Sequence, residues 1–303
     1  MATSAPPAKA NVFLAIPTID GTICIETMLS IIRSVETLNK NGHSATIFPL
    51  IGDSLVTRAR NFLANAFYRQ PETYTHLMWV DSDIEFPHDL ILKLLSVDKP
   101  LTAASYAKKR WNLDGLAKKL DDFRRLVGRE PESIEEISPL LVNSNLNLTS
   151  SGDHQIVNGF INVKDAATGL MLVRHDCLRM IVEKFGDDLS YLNDVSVAGA
   201  GIGGVPCPRG QKMYDFYGLM IDPVDKRLLS EDYCFCRRYS LAGGVSIPML
   251  VSATTVHHGR SSYRANPLMR WAAEGAFASS AAKVVDADAT TAAPVADEHT
   301  VTD

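Results

Sequence analysis

The sequence predicts an α/β protein: one domain with a mainly parallel sheet flanked by helices. Three observations predict it. Short apolar runs alternate with helical stripes through the first third of the chain, in the order strand, helix, strand, helix, strand. The runs N-V-F-L-A-I-P and H-L-M-W-V are continuously apolar, as strands covered on both faces are. Hydrophobic residues make up 46% of the 303 residues against 21% charged, an ordinary globular balance.

Taken in order, residues 1–10 are small and rich in Pro and Ala and read as a flexible arm, which puts the domain at 11–277. The first strand, N-V-F-L-A-I-P, closes at Pro17. Ile25, Met28, Leu29, Ile32, Val35 and Leu38 then recur at helical spacing, and Asn41-Gly42 ends that helix. S-A-T-I-F-P-L-I reads as the second strand. Ser54 is expected to cap a helix with Leu55, Ala59, Phe62, Leu63, Ala66 and Phe67 on one face. H-L-M-W-V is the third strand, and Pro87 stands where the next helix would begin. Residues 112–165 open with charged helical text, L-A-K-K-L-D-D-F-R-R-L, then turn polar; they read as an insertion over one face. T-G-L-M-L-V-R is a strand feeding a helix capped by Asp176, and residues 187–215 read as a long Gly-rich loop. E-D-Y-C-F-C-R-R-Y is a helix, and a strand region ends at T-T-V-H-H-G. From 278 to 303 the chain is rich in Ala, Thr, Val and Asp, the composition of a disordered or mobile tail.

The bulk numbers exclude some functions. A net charge of −5 gives no basic field for nucleic acid. No apolar run reaches membrane length and no signal-peptide core opens the chain, so a cytoplasmic protein without stable membrane insertion is expected. Five scattered cysteines suit a reducing compartment better than a disulfide framework. The glycosylation triplet at Asn147 reads as chance without a secretory signal.

The chemistry is concentrated in a few places. In W-V-D-S-D-I-E-F, Asp81 and Asp83 are two apart at a strand end, so both point the same way. Carboxylates that converge repel unless a cation lies between them. Ligands of open parallel sheets bind at the carboxyl ends of strands, and Mg²⁺ or Mn²⁺ shares carboxylates with substrate phosphates there. The plainer reading is a solvated turn in which Asp83 opens the next helix's cap. In T-V-H-H-G, one of His257 and His258 could complete a metal's coordination, since neighbours on a strand face opposite ways; the register is open, and a surface pair is the alternative. Arg260 and Arg264 follow closely enough to meet a diphosphate. Glu231 and Asp232 open a helix, either complementing its dipole or aiming a carboxylate base into a cleft. Cys234 and Cys236 are spaced C-x-C with no second pair, so they read as packing thiols rather than a zinc site. G-A-G-I-G-G at 199–204 follows no strand and is opposed by Pro206 and Pro208, which argues against a dinucleotide loop. G-D-S-L-V at 52–56 lacks the G-x-S-x-G of a serine hydrolase.

The ordered set A-I-P-T, S-L-V-T-R-A-R-N, W-V-D-S-D-I-E-F, A-T-G-L-M-L-V-R, S-E-D-Y-C-F-C-R-R and H-H-G resembles the GT-A-fold glycosyltransferases, in particular compact sugar transferases of viral and bacterial genomes, over residues 11–265. The resemblance implies a metal-dependent hexosyl- or deoxyhexosyltransferase. Its donor would be a nucleoside-diphosphate sugar, UDP before GDP, its acceptor a glycan hydroxyl, and its cofactor Mn²⁺ or Mg²⁺. Pro17 and Thr18 would border the nucleotide, with Asp20 and Asp53 against base or ribose. Arg58 would approach the donor, with Arg60 the secondary choice. Asp81 and Asp83 would form the D-x-D around Ser82, itself on the donor side; Asp83 would be the firmer metal ligand, Asp81 would lie nearer the ribose or the metal, and His257 or His258 would supply the third protein ligand. Asp232 would be the base of an inverting reaction, with Glu231 its alternative, and Gly169 would lie near the sugar. Residues 112–165 and 187–215 depart from the family pattern, so the resemblance names no acceptor. A nucleotidyltransferase, a nucleotide-sugar hydrolase and a non-catalytic glycan- or nucleotide-binding module are the alternative functions.

Overall fold

The computed structural model describes residues 9–149, 155–194 and 207–275. Nearly all of the expected arm, the expected tail and the Gly-rich 199–204 stretch lie outside the described residues. In chain order the elements are β1 (Asn11–Thr18), α1 (Ile25–Lys40), β2 (Ser44–Ile51), α2 (Val56–Tyr68), β3 (His76–Val80), β4 (Ile84–Glu85), α3 (Leu90–Ser96) and β5 (Leu101–Ala104). There follow β6 (Ala107–Trp111), α4 (Leu116–Val127), α5 (Ile134–Leu141), β7 (Val142–Ser144), β8 (Leu146–Leu148), β9 (Phe160–Ala166), β10 (Leu170–Arg174) and α6 (His175–Leu189). The remainder runs through β11 (Ser190–Leu192), β12 (Lys212–Tyr214), β13 (Met220–Ile221), β14 (Leu228–Leu229), α7 (Glu231–Leu241), β15 (Ile247–Leu250), β16 (Thr255–His258), β17 (Ser262–Ala265) and α8 (Pro267–Ala273).

Alternate residues of the central strands enter opposite cores, as a pleat with period two requires. Phe13 and Ala15 of β1, Leu77 and Trp79 of β3, and Met171 and Val173 of β10 face one core, completed by Phe62, Leu63 and Phe67 of α2, Leu178 and Ile181 of α6 and Phe235 of α7. Val12, Leu14, Met78, Val80, Leu170 and Leu172 face the other, closed by Ile31 and Leu38 of α1 and Leu90, Ile91 and Leu94 of α3. Each fully buried side chain of this size contributes about 1.5–3 kcal/mol. Phe13 stacks on Phe48 across β1 and β2 at 3.7 Å between centroids. The buried Trp79 indole satisfies its N–H on the Tyr217 hydroxyl at 2.8 Å, so the largest core side chain leaves no unpaired donor.

The central sheet has eight strands in the order β2-β1-β3-β10-β5-β15-β9-β8. Most point the same way, but β10 is antiparallel to both β3 and β5, and β9 to both β15 and β8, so the sheet is mixed rather than near-uniformly parallel. Nothing in the apolar text of either strand sets its direction; pairing partners far along the chain do. Residues 112–165, read as an insertion, do more than cover a face. Their helices α4 and α5 pack on α8 around Phe123, Ile137, Leu140 and Leu141, while β8 and β9 build one edge of the main sheet. Asn147 lies in β8, half-buried, with its amide 3.5 Å from the Asp165 carboxylate.

Several boundaries differ from expectation. β1 runs through Pro17 to Thr18, because pairing with β3 stops at Ala15 and the proline's missing N–H costs no ladder bond there. Ser54 caps nothing: the helix starts after Leu55, whose N–H is bonded by the Asp53 carboxylate at 2.9 Å. Asp176 lies inside the first turn of α6 rather than at its cap and is gripped by Arg174. The expected 187–215 loop begins with the end of α6, and within it β11 pairs with β12. Among the described residues no helix is long and apolar enough to cross a membrane.

Buried His175 and half-buried His76 make the fold acid-sensitive. His175 stacks on Phe67 at 3.8 Å, and its Nε2 is buried with no hydrogen-bond partner among the described residues. Burial pushes both His76 and His175 down from 6.5 to about 4. The folded state therefore binds fewer protons than the unfolded chain between those values, and stability falls as pH drops from 6.5 towards 4. Between about pH 7 and about pH 4.5 each histidine should remove about 2 kcal/mol. Urea unfolding at the two pH values checks this. H175F should narrow the gap between them, and an unchanged gap would discount His175 as a source.

Candidate active site

Because β1, β2 and β3 are parallel, their carboxyl ends open on one edge, and each chain segment leaving that edge carries polar residues. A cleft of about 260 Å³ lies there. It is lined by Pro17, Thr18 and Ile19 after β1, Asp53 and Ser54 after β2, Val56, Ala59 and Arg60 of α2, Asp81, Ser82 and Asp83 after β3, and His257 of β16.

Asp81 and Asp83 do point into one cleft, and each has its own cation. Asp81 Oδ1 accepts from Arg60 Nη2 at 3.0 Å. Asp83 Oδ2 accepts from the Lys109 ammonium of β6, and its Oδ1 lies 3.2 Å from His257 Nε2. Burial works to raise the Asp83 carboxyl, but the His257 and Lys109 hydrogen bonds and charges outweigh it and hold the group at about 2. β16 pairs with β4 through His257 and Ile84, and His258 N–H donates to the Asp83 carbonyl at 2.8 Å, so strand pairing fixes the Asp83–His257 approach.

His257 carries a further detail. Its Nδ1 is 2.8 Å from the Ala107 carbonyl oxygen. A carbonyl only accepts, so Nδ1 carries a proton, and a ring left neutral would present its Nε2 lone pair to Asp83. Lone pair against carboxylate is repulsive; the contact requires a proton or a metal cation between them. A backbone carbonyl behind the distal nitrogen is the usual orienting contact of a metal-bound imidazole. Among the described residues no group of three or more His, Cys, Asp and Glu converges to hold a metal. Asp83 and His257 are a carboxylate and an imidazole side by side, two groups that could share a cation.

Arg60 is 4% exposed, and its guanidinium lies over the Trp79 ring at 5.4 Å. Burial opposes its charge, yet Asp81 and Glu231 outweigh burial and push it above its ordinary value. Its Nε is 3.6 Å from Glu231 Oε1, so one buried cation ties the end of β3 to the start of α7. The adjacent Asp232 is differently placed: its Oδ1 accepts from the Ser230 hydroxyl and from the Tyr233 N–H at 2.8 Å.

Gly169 lies against the Asp81 side chain itself. A Cβ there would stand 2.7 Å from both Asp81 Oδ2 and the Tyr106 hydroxyl oxygen and 2.6 Å from Ile84, so glycine is required by the protein's own carboxylate. Its carbonyl receives the Asp81 N–H at 3.0 Å, and its N–H donates to Tyr106 at 3.2 Å. Gly259 is similar on a smaller scale: a Cβ would press to 3.2 Å on the Lys109 stem that reaches Asp83.

Other expected residues are elsewhere or otherwise engaged. Arg58 is exposed and forked onto Asp53 at 2.8 and 2.9 Å, outside the cleft lining; Arg60 is the α2 arginine that enters it. Asp20 is exposed and closes its own turn, accepting from the Thr22 N–H at 3.0 Å and hydroxyl at 2.7 Å. His258 is turned onto Glu85 at 3.2 Å, so His257 alone of the pair shares the Asp83 site. Ser82 lines the cleft, and its carbonyl accepts from the Cys24 N–H at 2.9 Å. Lys109 and Tyr106 were not anticipated. No family model matches the chain, and no curated protein is significantly similar to it.

Proposed function

We propose that this protein is a metal-dependent glycosyltransferase that moves a sugar from a nucleoside-diphosphate donor to a glycan hydroxyl with inversion. The observation that carries the reading is the Asp83–His257 pair, with Nε2 presented to the carboxylate, in a cleft at the carboxyl edge of parallel strands. A hard divalent ion needs only one or two protein carboxylates when substrate phosphates supply the rest, and an added imidazole suits Mn²⁺. Bound there, the ion would neutralise charge developing on the departing diphosphate.

The chain's own residues do the rest. Thr18 and Asp53 present a hydroxyl and a carboxylate from the ends of β1 and β2, where a ribose or base would lie. Lys109 would pass from Asp83 to the phosphates as they arrive, a move of one flexible side chain. Asp232 is the better base than Glu231, because Glu231 is engaged with the buried Arg60 while Asp232 takes its bonds on Oδ1 and keeps Oδ2 for an acceptor proton. Asp232 is not among the residues lining the cleft, but a carboxylate in the first turn of a helix attached to the core is held rigidly beside it.

Calorimetric titration with nucleoside diphosphates and their sugars, with and without Mn²⁺, tests the reading. Metal-dependent binding of one nucleotide is expected, and no binding in either condition would overturn it. With the donor identified, D232N should lower kcat by about 10²–10⁴-fold at unchanged donor affinity. E231Q should act mainly through stability. A D232N enzyme that turns over normally would move the base elsewhere.

A further inference from the structure

We propose that the hollow beside Trp111 is the docking shelf for the acceptor glycan, taking a neutral sugar ring one step from the donor cleft. This rests on the transferase reading above. The hollow has a volume of about 310 Å³ and is lined by Arg110, Trp111, Asn112, Leu113, Asp114 and Asn143. That is the lower end of the roughly 300–1,000 Å³ of small-molecule sites. A sugar ring has an apolar C–H face and a rim of hydroxyls that both donate and accept. An indole offers the matching flat apolar surface, and side-chain amides offer a donor and an acceptor side by side. Arg110 and Asp114 carry opposite charges, so the lining favours an uncharged ligand with many hydroxyls over an anion or a cation.

Position ties the hollow to the chemistry. β6 begins at Ala107, whose carbonyl orients His257, carries Lys109 onto Asp83, and ends at Trp111. Tyr263 is directly opposite His257 in the β16–β17 pair, and its ring is 5.1 Å from that of Trp111. Four residues of strand at about 3.3 Å each separate Trp111 from Ala107, which puts Trp111 roughly 13 Å from the carbonyl that holds His257. A short oligosaccharide spans that distance, with one ring on the shelf and the next offering its hydroxyl at the cleft.

The shelf is also held in shape before any ligand arrives, which reduces the ordering cost of binding. Tyr263 backs the indole. The Asn112 carbonyl accepts from Lys119 at 2.6 Å, and Asn112 Oδ1 accepts from the Asp114 N–H at 3.1 Å. Asn143 Oδ1 accepts from Arg270 at 2.7 Å, which turns the amide so that Nδ2 is the end left to donate.

The test uses the full chain and a panel of neutral di- and trisaccharides read by saturation-transfer NMR, in parallel with the nucleotide–Mn²⁺ titration. At least one saccharide should bind. W111A should weaken it by about tenfold or more. D114A, at an exposed position, should weaken it several-fold, and nucleotide affinity should stay unchanged in both. If W111A does not fold, D114A and N143A decide. Saccharide binding unchanged in the variants overturns the shelf, as does a protein that binds nucleotide but no saccharide. A saccharide bound and lost in W111A by a protein that binds no nucleotide keeps the shelf and removes the donor reading.

Discussion

Replacing Asp83 with alanine should lower metal-dependent sugar transfer by about 10²–10³-fold or more, the scale of losing one preorganised charge-stabilising group. The reason is local. The Asp83 carboxyl is held at about 2 against burial by His257 and Lys109, so it is a carboxylate at neutral pH and a ready ligand. Without it His257 Nε2 has no carboxylate partner in the cleft, and the imidazole alone is a weak site for a hard cation. The fold should survive. Asp83 is 32% exposed, and half-exposed pairs of this kind are worth about 0–1 kcal/mol, so the melting temperature should move by only a few degrees. D83N keeps the shape and removes the charge, and should fall with D83A rather than with the parent. Transfer that persists at full rate and full metal dependence in D83A would reduce the Lys109–Asp83–His257 cluster to a structural ion-pair network.

How far the sequence discloses this site can be traced residue by residue. The sequence reads Asp81 and Asp83 as converging through extended-strand parity, whereas β3 ends at Val80 and a turn closed by the Ile84 N–H on the Asp81 carbonyl at 3.3 Å carries both to the cleft. The division of labour between His257 and His258 does follow from strand parity, a local rule that yields contacts the structure contains. Lys109 obeys no local rule: in A-K-K-R-W it reads as one of three exposed cations on an edge strand, and only the placement of β6 beside β16 brings it to Asp83. Tyr106 and the directions of β9 and β10 are hidden for the same reason, being set by partners distant in sequence. Arg60 did leave a signal. It precedes Leu63 by three and Phe67 by seven, which puts it on the apolar stripe of α2, where a cation demands a buried counter-charge. Gly169 was expected near the sugar, whereas the contact that excludes a side chain there is the Asp81 carboxylate.

That counter-charge makes Arg60 the position of largest expected stability effect. Its guanidinium is 4% exposed, bonds Asp81 at 3.0 Å, lies 3.6 Å from Glu231, and has no hydrogen-bond partner among the described residues for Nε or Nη1. A fully buried cation so sparsely bonded is retained by charge, since Asp81 and Glu231 would otherwise face one another across a low-dielectric cleft wall. R60M removes the cation but fills most of its volume over Trp79, so the loss measured is chiefly electrostatic. Removing one partner of a buried network of this kind costs about 3–5 kcal/mol, and urea unfolding at about pH 7 should show it. Two readouts separate repulsion from lost packing. Raising the salt concentration screens the repulsion, so the deficit should shrink in high salt. Adding E231Q to R60M should recover part of it at about pH 7, a coupling that two independent sites would not show. A deficit that ignores both salt and Glu231 would make Arg60 a packing residue. In that case the tie between Asp81 at the end of β3 and Glu231 at the start of α7 would not be electrostatic, and Glu231 would return to contention as the base.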